Sequence, residues 1–309
     1  MSFLYLLEKI RFPGLNELML TVTKLGEETA FLVLALIIFW CVDKKKGYFL
    51  LSVGFLGIVA NQFLKLSFRI PRPWVRDPNF SILEQAREAA SGYSFPSGHT
   101  QTAAGTFGCL AATANRKWWR NVCVVLIALV GFSRMYIGVH TPSDVLVSLV
   151  VAGVLVAILK KPVMSGGVKE MKLLIGIMIA CAVAFACYVH FWNFPADIDA
   201  HNYESGLKNA YTLLGSIAGM AIVYMVDVKW LRFSEKACWW VQLMKVIVGL
   251  ALVLAVKEGL RTPLEMVLPV YPARAVRYFL IVIIAGVVWP MSFRKLSGLG
   301  KVKYELRNN

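Results

Sequence analysis

Charge is scarce in this chain: 17% of its 309 residues are Asp, Glu, Lys or Arg, against 58% hydrophobic. A soluble domain carries about 45–50% apolar and about 25% charged residues, so the expected solvent is a bilayer rather than water. Acidic residues are the scarcer sign, 18 against 33 basic, and there are four histidines. The six cysteines, Cys41, Cys109, Cys123, Cys181, Cys187 and Cys238, lie in or beside apolar runs. They lack metal-ligand spacing, which excludes a cysteine metal centre and leaves small buried hydrophobes. There is no internal repeat, low-complexity tract or soluble domain. The start, Met1 to Lys24, has no basic segment followed by a cleavage site. It mixes apolar and charged residues around Pro13-Gly14 and reads as an interfacial segment rather than a signal peptide.

What is present is a series of nine apolar runs, at 27–42, 47–70, 98–114, 120–138, 142–159, 171–191, 206–226, 238–256 and 275–291. Runs of roughly 17 to 25 residues suit helices crossing about 30 Å of hydrocarbon. The expected fold is therefore all-α, a polytopic bundle of about nine transmembrane helices. Residues 1–26 form the interfacial segment, 27–191 a six-helix core, and 192–309 three further helices with a basic tail.

Lys and Arg collect in every second loop: Lys44-Lys45-Lys46, then Arg116, Lys117 and Arg120, then Lys160 to Lys172, then Lys229, Arg232 and Lys236, and finally Arg294 to Arg307. Cytoplasmic loops carry such an excess, which puts the N-terminus outside and the C-terminus inside. Trp118, Trp119, Trp230, Trp239, Trp240 and Trp289 fall near the inner ends as an aromatic belt. The net charge of +15 is spread over short loops rather than one face, which points to membrane lipids and away from nucleic acid. A multi-pass protein of a bacterial cytoplasmic membrane is expected.

Three fragments at the outer ends of these runs carry chemistry. Lys65, Arg69 and Arg72 share a helix face by spacing, and Pro71 and Pro73 are expected to end that helix, freeing Arg72 to fold back over it. In Pro96-Ser97-Gly98-His99, a helix start offers unpaired N–H groups to an anion, with Ser97 either a donor or a plain N-cap. In Ser133-Arg134 to His140 and Asp144, Gly138 ends one helix and Thr141-Pro142 starts the next. His140 is then expected in an exposed turn. Asp144 either closes a capping box with Thr141 or orients the imidazole one helical turn before it.

Taken together, K, six residues, R-P; then P-S-G-H; then S-R, five residues, H, three residues, D resembles the three-part signature of the type 2 phosphatidic acid phosphatase superfamily. The resemblance spans Glu27 to Phe191. It implies that His140 is the nucleophile, Asp144 its orienting partner and His99 the acid for the leaving alkoxide. It further implies that Lys65, Arg72, Ser97, Gly98 and Arg134 hold the phosphoryl oxygens, without metal or other cofactor. The chemistry agrees: a neutral imidazole can attack phosphorus, a second can donate a proton near neutral pH, and fixed cations stabilise equatorial negative charge.

The expected activity is hydrolysis of a lipid phosphate monoester or diphosphate at the extracytoplasmic face through a phosphohistidine. Candidate lipids include undecaprenyl diphosphate, phosphatidic acid, phosphatidylglycerophosphate and sphingoid phosphates. Phosphotransfer or a soluble sugar phosphate would use the same residues. A transporter of an anionic substrate is the reading from another class, although transporters tend to place polar groups near the midplane of repeated halves. Lys257, Glu258 and Arg261 close the eighth run on the outer side, as headgroup contacts or interfacial anchors. Ser81-Ile82-Leu83-Glu84 has the form of a capping box opening a short helix through Ala90. His190, His201, Asp197 and Asp199 form an outer acidic loop without established metal spacing. Oligomeric state is unreadable.

Overall fold

The computed structural model describes residues 1–87, 90 and 92–298. Lys301, Lys303 and Arg307 of the expected basic tail lie outside the described residues, as does part of the stretch leading to Ala90. Two short helices come first, α1 (Ser2–Lys9) and α2 (Pro13–Thr23), and a 3-10 turn at Lys24–Gly26 leads into α3 (Glu28–Cys41). The core continues with α4 (Lys44–Phe68), a single turn α5 (Pro73–Arg76), α6 (Gly98–Ala112), α7 (Lys117–Tyr136), α8 (Pro142–Met164) and α9 (Val168–Phe191). Beyond it lie α10 (Ala200–Val226), α11 (Trp239–Gly259), the short α12 (Arg261–Val267) and α13 (Val270–Ile283), which runs through a π turn at Ile284–Val288 into α14 (Trp289–Met291). No strand occurs among the described residues.

Each of the nine expected runs is met by a helix, and among the described residues seven helical stretches are long and apolar enough to cross a membrane. The other two, α3 and α6, have 14 and 15 residues. At 1.5 Å per residue they span only about 21 to 23 Å, less than the ~30 Å hydrocarbon thickness. Both begin at residues that line the cavity described below. α7, α8, α9 and α11 turn large apolar side chains outward, with Ile158 63% and Leu173 67% exposed, a surface matched to hydrocarbon. α10 joins the later helices to the core by packing against α4, α9 and α13. Trp40 of α3 is fully buried and donates to the Ala285 carbonyl at 2.8 Å.

The two ends of the bundle differ in chemistry. At one, Lys44 pairs with Asp227 at 3.0 Å and Lys45 donates to the Met164 carbonyl at 3.4 Å, which gathers the basic loops. At the other, Lys65 Nζ donates to the Tyr93 carbonyl at 2.7 Å, and the Tyr93 hydroxyl accepts from the Asp199 amide at 3.0 Å.

Two local expectations need correction. α4 ends at Phe68, before the prolines act, because Arg69 adopts a left-handed conformation (φ 50°) and its amide bonds back to the Lys65 carbonyl. Arg69 therefore leaves the Lys65 face. Ser81 does not cap a helix: its hydroxyl and amide bond Glu8 of α1, Glu84 pairs instead with Arg87, and among the described residues a 3-10 turn forms at Glu84–Ala86. The N-terminal helices of the expected interfacial segment pack against the core. Leu4 and Leu7 bury against Phe80 and Ile82, Met19 buries with Tyr136 and Val139, and Arg11 donates to the Tyr136 and Ser81 carbonyls at 3.0 and 2.8 Å.

Candidate active site

The three separated fragments converge on one cavity of about 360 Å³, whose walls include Lys65, Arg72, His99, Arg134 and His140. Lys65 arrives from the last turn of α4 and Arg72 from the segment after it. His99 stands in the first turn of α6, Arg134 in the last turn of α7, and His140 in the link between α7 and α8. That link is sharp because Gly138 takes φ 88°, a left-handed conformation that a side chain disfavours. Thr141 then caps α8 with its hydroxyl.

His140 is buried, at 2% exposure, which corrects the expected exposed turn; it reaches the cavity rather than the surface. Its Nε2 lies 3.0 Å from Arg72 Nη1. Its Nδ1 faces Asp144 Oδ2 at 3.4 Å and Ser94 Oγ at 3.5 Å. Asp144 performs both of the roles left open by the sequence. The same Oδ2 accepts from the Thr141 amide at 2.8 Å, closing the capping box, and from Ser94 Oγ at 2.5 Å. Burial first, and then the charges of Arg72, Arg134, Lys65 and His99, push the His140 imidazole well below its ordinary range. It is therefore neutral, and Asp144 lies beside Nδ1 at 3.4 Å as a neighbour that can orient the ring rather than as an ion pair.

Arg72 is held by the Gly92 carbonyl at 3.1 Å and the Val139 carbonyl at 3.0 Å. Arg134 donates from Nη1 to Thr23 Oγ1 at 2.8 Å, so the N-terminal segment positions a cation of the site. The Lys24–Gly26 turn presses on α6, and a Cβ on Gly26 would sit 2.6 Å from the His99 carbonyl oxygen. No side chain larger than hydrogen fits there without moving His99.

Gly98 lines the cavity, whereas Ser97 does not. Ser97 is fully buried, its hydroxyl 2.9 Å from Thr100 Oγ1 and bonded to the Thr100 amide, which is N-cap geometry. Its amide donates to the Asp144 carbonyl at 3.2 Å and its carbonyl accepts from Ser148 at 2.9 Å, tying α6 to α8. Lys257, Glu258 and Arg261 are exposed at the junction of α11 and α12 and do not line the cavity. They pair locally, Lys257 with Glu258 at 3.5 Å and Arg261 with Glu265 at 3.7 Å. His190 contacts Tyr211 at 2.8 Å, and Asp199 caps α10. Among the described residues no three His, Cys, Asp or Glu side chains gather as a metal site.

Ser94, Thr23, Glu27, Glu28, Asn61 and Gln101 escape the sequence reading. Glu27, Glu28, Asn61 and Gln101 line the cavity, and Ser94 and Thr23 hold residues that do. Helical spacing from Lys65 places Asn61 on the same face of α4, one turn away. Ser94 gives no such signal, since its partner is 50 residues distant.

A family model described as the PAP2 superfamily matches residues 45–165, and one described as PAP2 superfamily phosphatase, transmembrane extension, matches residues 211–301. Undecaprenyl-diphosphatase BcrC of Bacillus subtilis (strain 168) is 37% identical over 125 residues, covering 40% of this chain and 61% of that protein. The match thus spans less than two thirds of that relative. A crystal structure of Aquifex aeolicus LpxE is 25% identical with a TM-score of 0.46, covering 52% of this chain and 93% of that one. Phosphatidylglycerophosphatase B of Bacillus subtilis (strain 168) is 32% identical over 152 residues, covering 44% of this chain and 70% of that protein. With that coverage, and with Lys65, Arg72, Gly98, His99, Arg134 and His140 of the signature lining one cavity, the chain belongs to the PAP2 superfamily and carries its transmembrane extension.

Proposed function

We propose that this chain is an integral-membrane phosphatase that hydrolyses a lipid phosphate at the extracytoplasmic face through a phosphohistidine, with no metal. The observation that carries the reading is the meeting of His99 and His140 with Lys65, Arg72 and Arg134 around one cavity. Similarity to proteins named undecaprenyl-diphosphatase and phosphatidylglycerophosphatase supports a phosphorylated lipid as substrate.

In this scheme Lys65, Arg72 and Arg134 draw the phosphoryl oxygens into place and balance charge as the transition state forms. The backbone N–H groups at the start of α6, around Gly98, add donors. His140 Nε2 attacks phosphorus, forming a P–N bond as the bond to the leaving oxygen breaks, and His99, which takes up a proton once the bound phosphate offsets the surrounding cations, gives it to that oxygen. Water then attacks the phosphohistidine, His99 takes the water proton, and the P–N bond breaks to release inorganic phosphate. Nothing in this charge balance calls for a metal, and full activity is expected in excess chelator.

An apolar groove between α3, α4, α10 and α13 shares Glu28, Phe31 and Ile58 with the phosphate cavity. An apolar groove sharing a wall with the cation-lined cavity suits an amphiphile better than a soluble sugar phosphate. Charge supports the extracytoplasmic reading: the site lies at the end of α4 opposite Lys44 and Lys45, and basic loops are typically cytoplasmic.

The test is phosphate release by purified protein in detergent from a panel of lipid monophosphates and diphosphates, with labelled substrate quenched early in turnover. Label retained on protein, stable to base and released by acid, is the expected phosphohistidine signature. Turnover by His140→Ala at the wild-type rate, or label absent under single-turnover conditions, would overturn the assignment.

A further inference from the structure

The cavity extends well below the phosphate-binding cations. Along α4 its wall runs from Lys65 to Val53, a helical rise of about 18 Å. Between the cations at the top and Val53, Gly54, Ile58 and Phe31 at the bottom lies a band of neutral polar side chains, Asn61 from α4 and Gln101 from α6. Both are 5% exposed. Among the described residues, Asn61 Nδ2, Gln101 Nε2 and Gln101 Oε1 have no hydrogen-bond partner. Gln101 packs over Gly57, its Nε2 3.2 Å from where a Cβ would stand.

Buried amides without partners weaken a fold, since desolvation is not repaid by hydrogen bonds. Two such residues in a cavity wall, one turn below a phosphate site, have the chemistry of a ligand subsite. Their character narrows the ligand. Carboxamides offer donors and acceptors but no charge, which fits a hydroxyl or carbonyl. A second phosphate would meet the carboxylates of Glu27 and Glu28 on the same cavity wall.

We propose that Asn61 and Gln101 form a subsite for a neutral hydrogen-bonding group of the substrate, placed between its phosphate and its hydrocarbon tail. The substrate class is then a phosphate monoester on a glycerol or amino-alcohol backbone, with the tail continuing toward Phe31 and the apolar groove. This rests on the phosphatase reading and deepens it. A polyprenyl diphosphate, which has no hydroxyl or carbonyl in that position, would leave both amides unpaired.

The experiment compares oleoyl lysophosphatidate, oleyl phosphate and farnesyl diphosphate as substrates of the purified full chain in detergent. Wild type is expected to favour lysophosphatidate over oleyl phosphate by about tenfold or more in kcat/KM, because only the former fills the amide band. Gln101→Leu and Asn61→Leu should each bring that ratio to within about threefold, mainly by slowing lysophosphatidate. Their Tm should hold or rise, since each removes an unsatisfied amide, and a purely structural role predicts a lower Tm with the ratio intact. A wild-type ratio near one, a preference for the diphosphate, or an unchanged ratio in both variants overturns the subsite while leaving the phosphatase reading standing. Should either variant fail to fold, the wild-type ratio and the other variant still decide. Wild type releasing phosphate from none of the three ends both readings together.

Discussion

Arg72 Nη1 lies 3.0 Å from Nε2 of His140. A guanidinium has donors and no acceptor, so Nε2 carries its lone pair and the ring proton sits on Nδ1, facing Asp144 and Ser94. The atom that would attack phosphorus is thus covered by a cation until a phosphate draws Arg72 away. Arg72→Ala is expected to cost about a hundred- to thousandfold in kcat, the usual loss for one preorganised donor. Arg72→Lys should recover only part of this, because an ammonium cannot match the planar fork that spans Gly92, Val139 and His140. Steady-state kinetics of the two variants, side by side, check it.

Asp144 is the second lever. Its Oδ2 accepts from Ser94 and from the Thr141 amide while facing His140 Nδ1. Asp144→Asn puts a neutral amide among these donors and favours the wrong tautomer. A loss of about a thousand- to ten-thousandfold in kcat is expected, by analogy with carboxylates that orient catalytic imidazoles elsewhere. Circular dichroism and Tm separate this from unfolding: the chain should remain helical, with a modest drop in Tm from the weakened cap of α8.

The pH dependence follows from the direction of the His140 shift. Burial and surrounding cations lower its pKa, so in the free protein the imidazole stays neutral as pH falls through the ordinary histidine value of about 6.5. The acid limb of kcat/KM is expected below that value. A bound phosphate offsets the cations, so the limb of kcat should lie at higher pH than that of kcat/KM. Initial-rate profiles at saturating and limiting substrate test the order of the two limbs.

Much of the geometry of this candidate site was legible because its residue types stand at helix ends. Lys65, Arg72, Gly98, His99, Arg134 and His140 line one cavity with Asp144 beside His140, which is buried where an exposed turn was expected, and Gly138 and Thr141 make the turn as their conformational preferences require. What the sequence hid was long-range pairing. Ser97 reads equally as donor or cap until Thr100 is seen beside it, and Ser94 reads as nothing until Asp144 arrives from α8. The Ser81 pattern misled because a capping box needs its carboxylate free, and Glu84 is taken by Arg87. α3 and α6, which answer the runs at 27–42 and 98–114, form helices of 14 and 15 residues.

The N-terminal segment gives a prediction that no motif suggests. Thr23 Oγ1 is the hydrogen-bond acceptor for Arg134 Nη1, and Arg134 Nε has no partner among the described residues. Thr23→Val keeps the shape and deletes the acceptor. Leaving a charged donor unpaired costs about 1.5–3 kcal/mol, so kcat is expected to fall by roughly ten- to a hundredfold, with Thr23→Ser close to wild type. Rates of the pair decide it.

Lys257 and Arg261 supply the contrasting case. They were candidates for headgroup contact because they end an apolar run on the site's side of the bundle. In the structure they are exposed and paired with neighbouring carboxylates, away from the cavity wall. Exposed ion pairs contribute little to stability and are screened by salt. Lys257→Ala and Arg261→Ala should therefore leave kcat and Tm in detergent within about twofold and about 2 °C of wild type, on the scale of ordinary surface substitutions. Any effect should appear instead with anionic vesicles, as a rise in KM that vanishes at high ionic strength, because a cation near a headgroup layer attracts it over no more than a Debye length. A large loss of kcat in detergent would return these residues to the site.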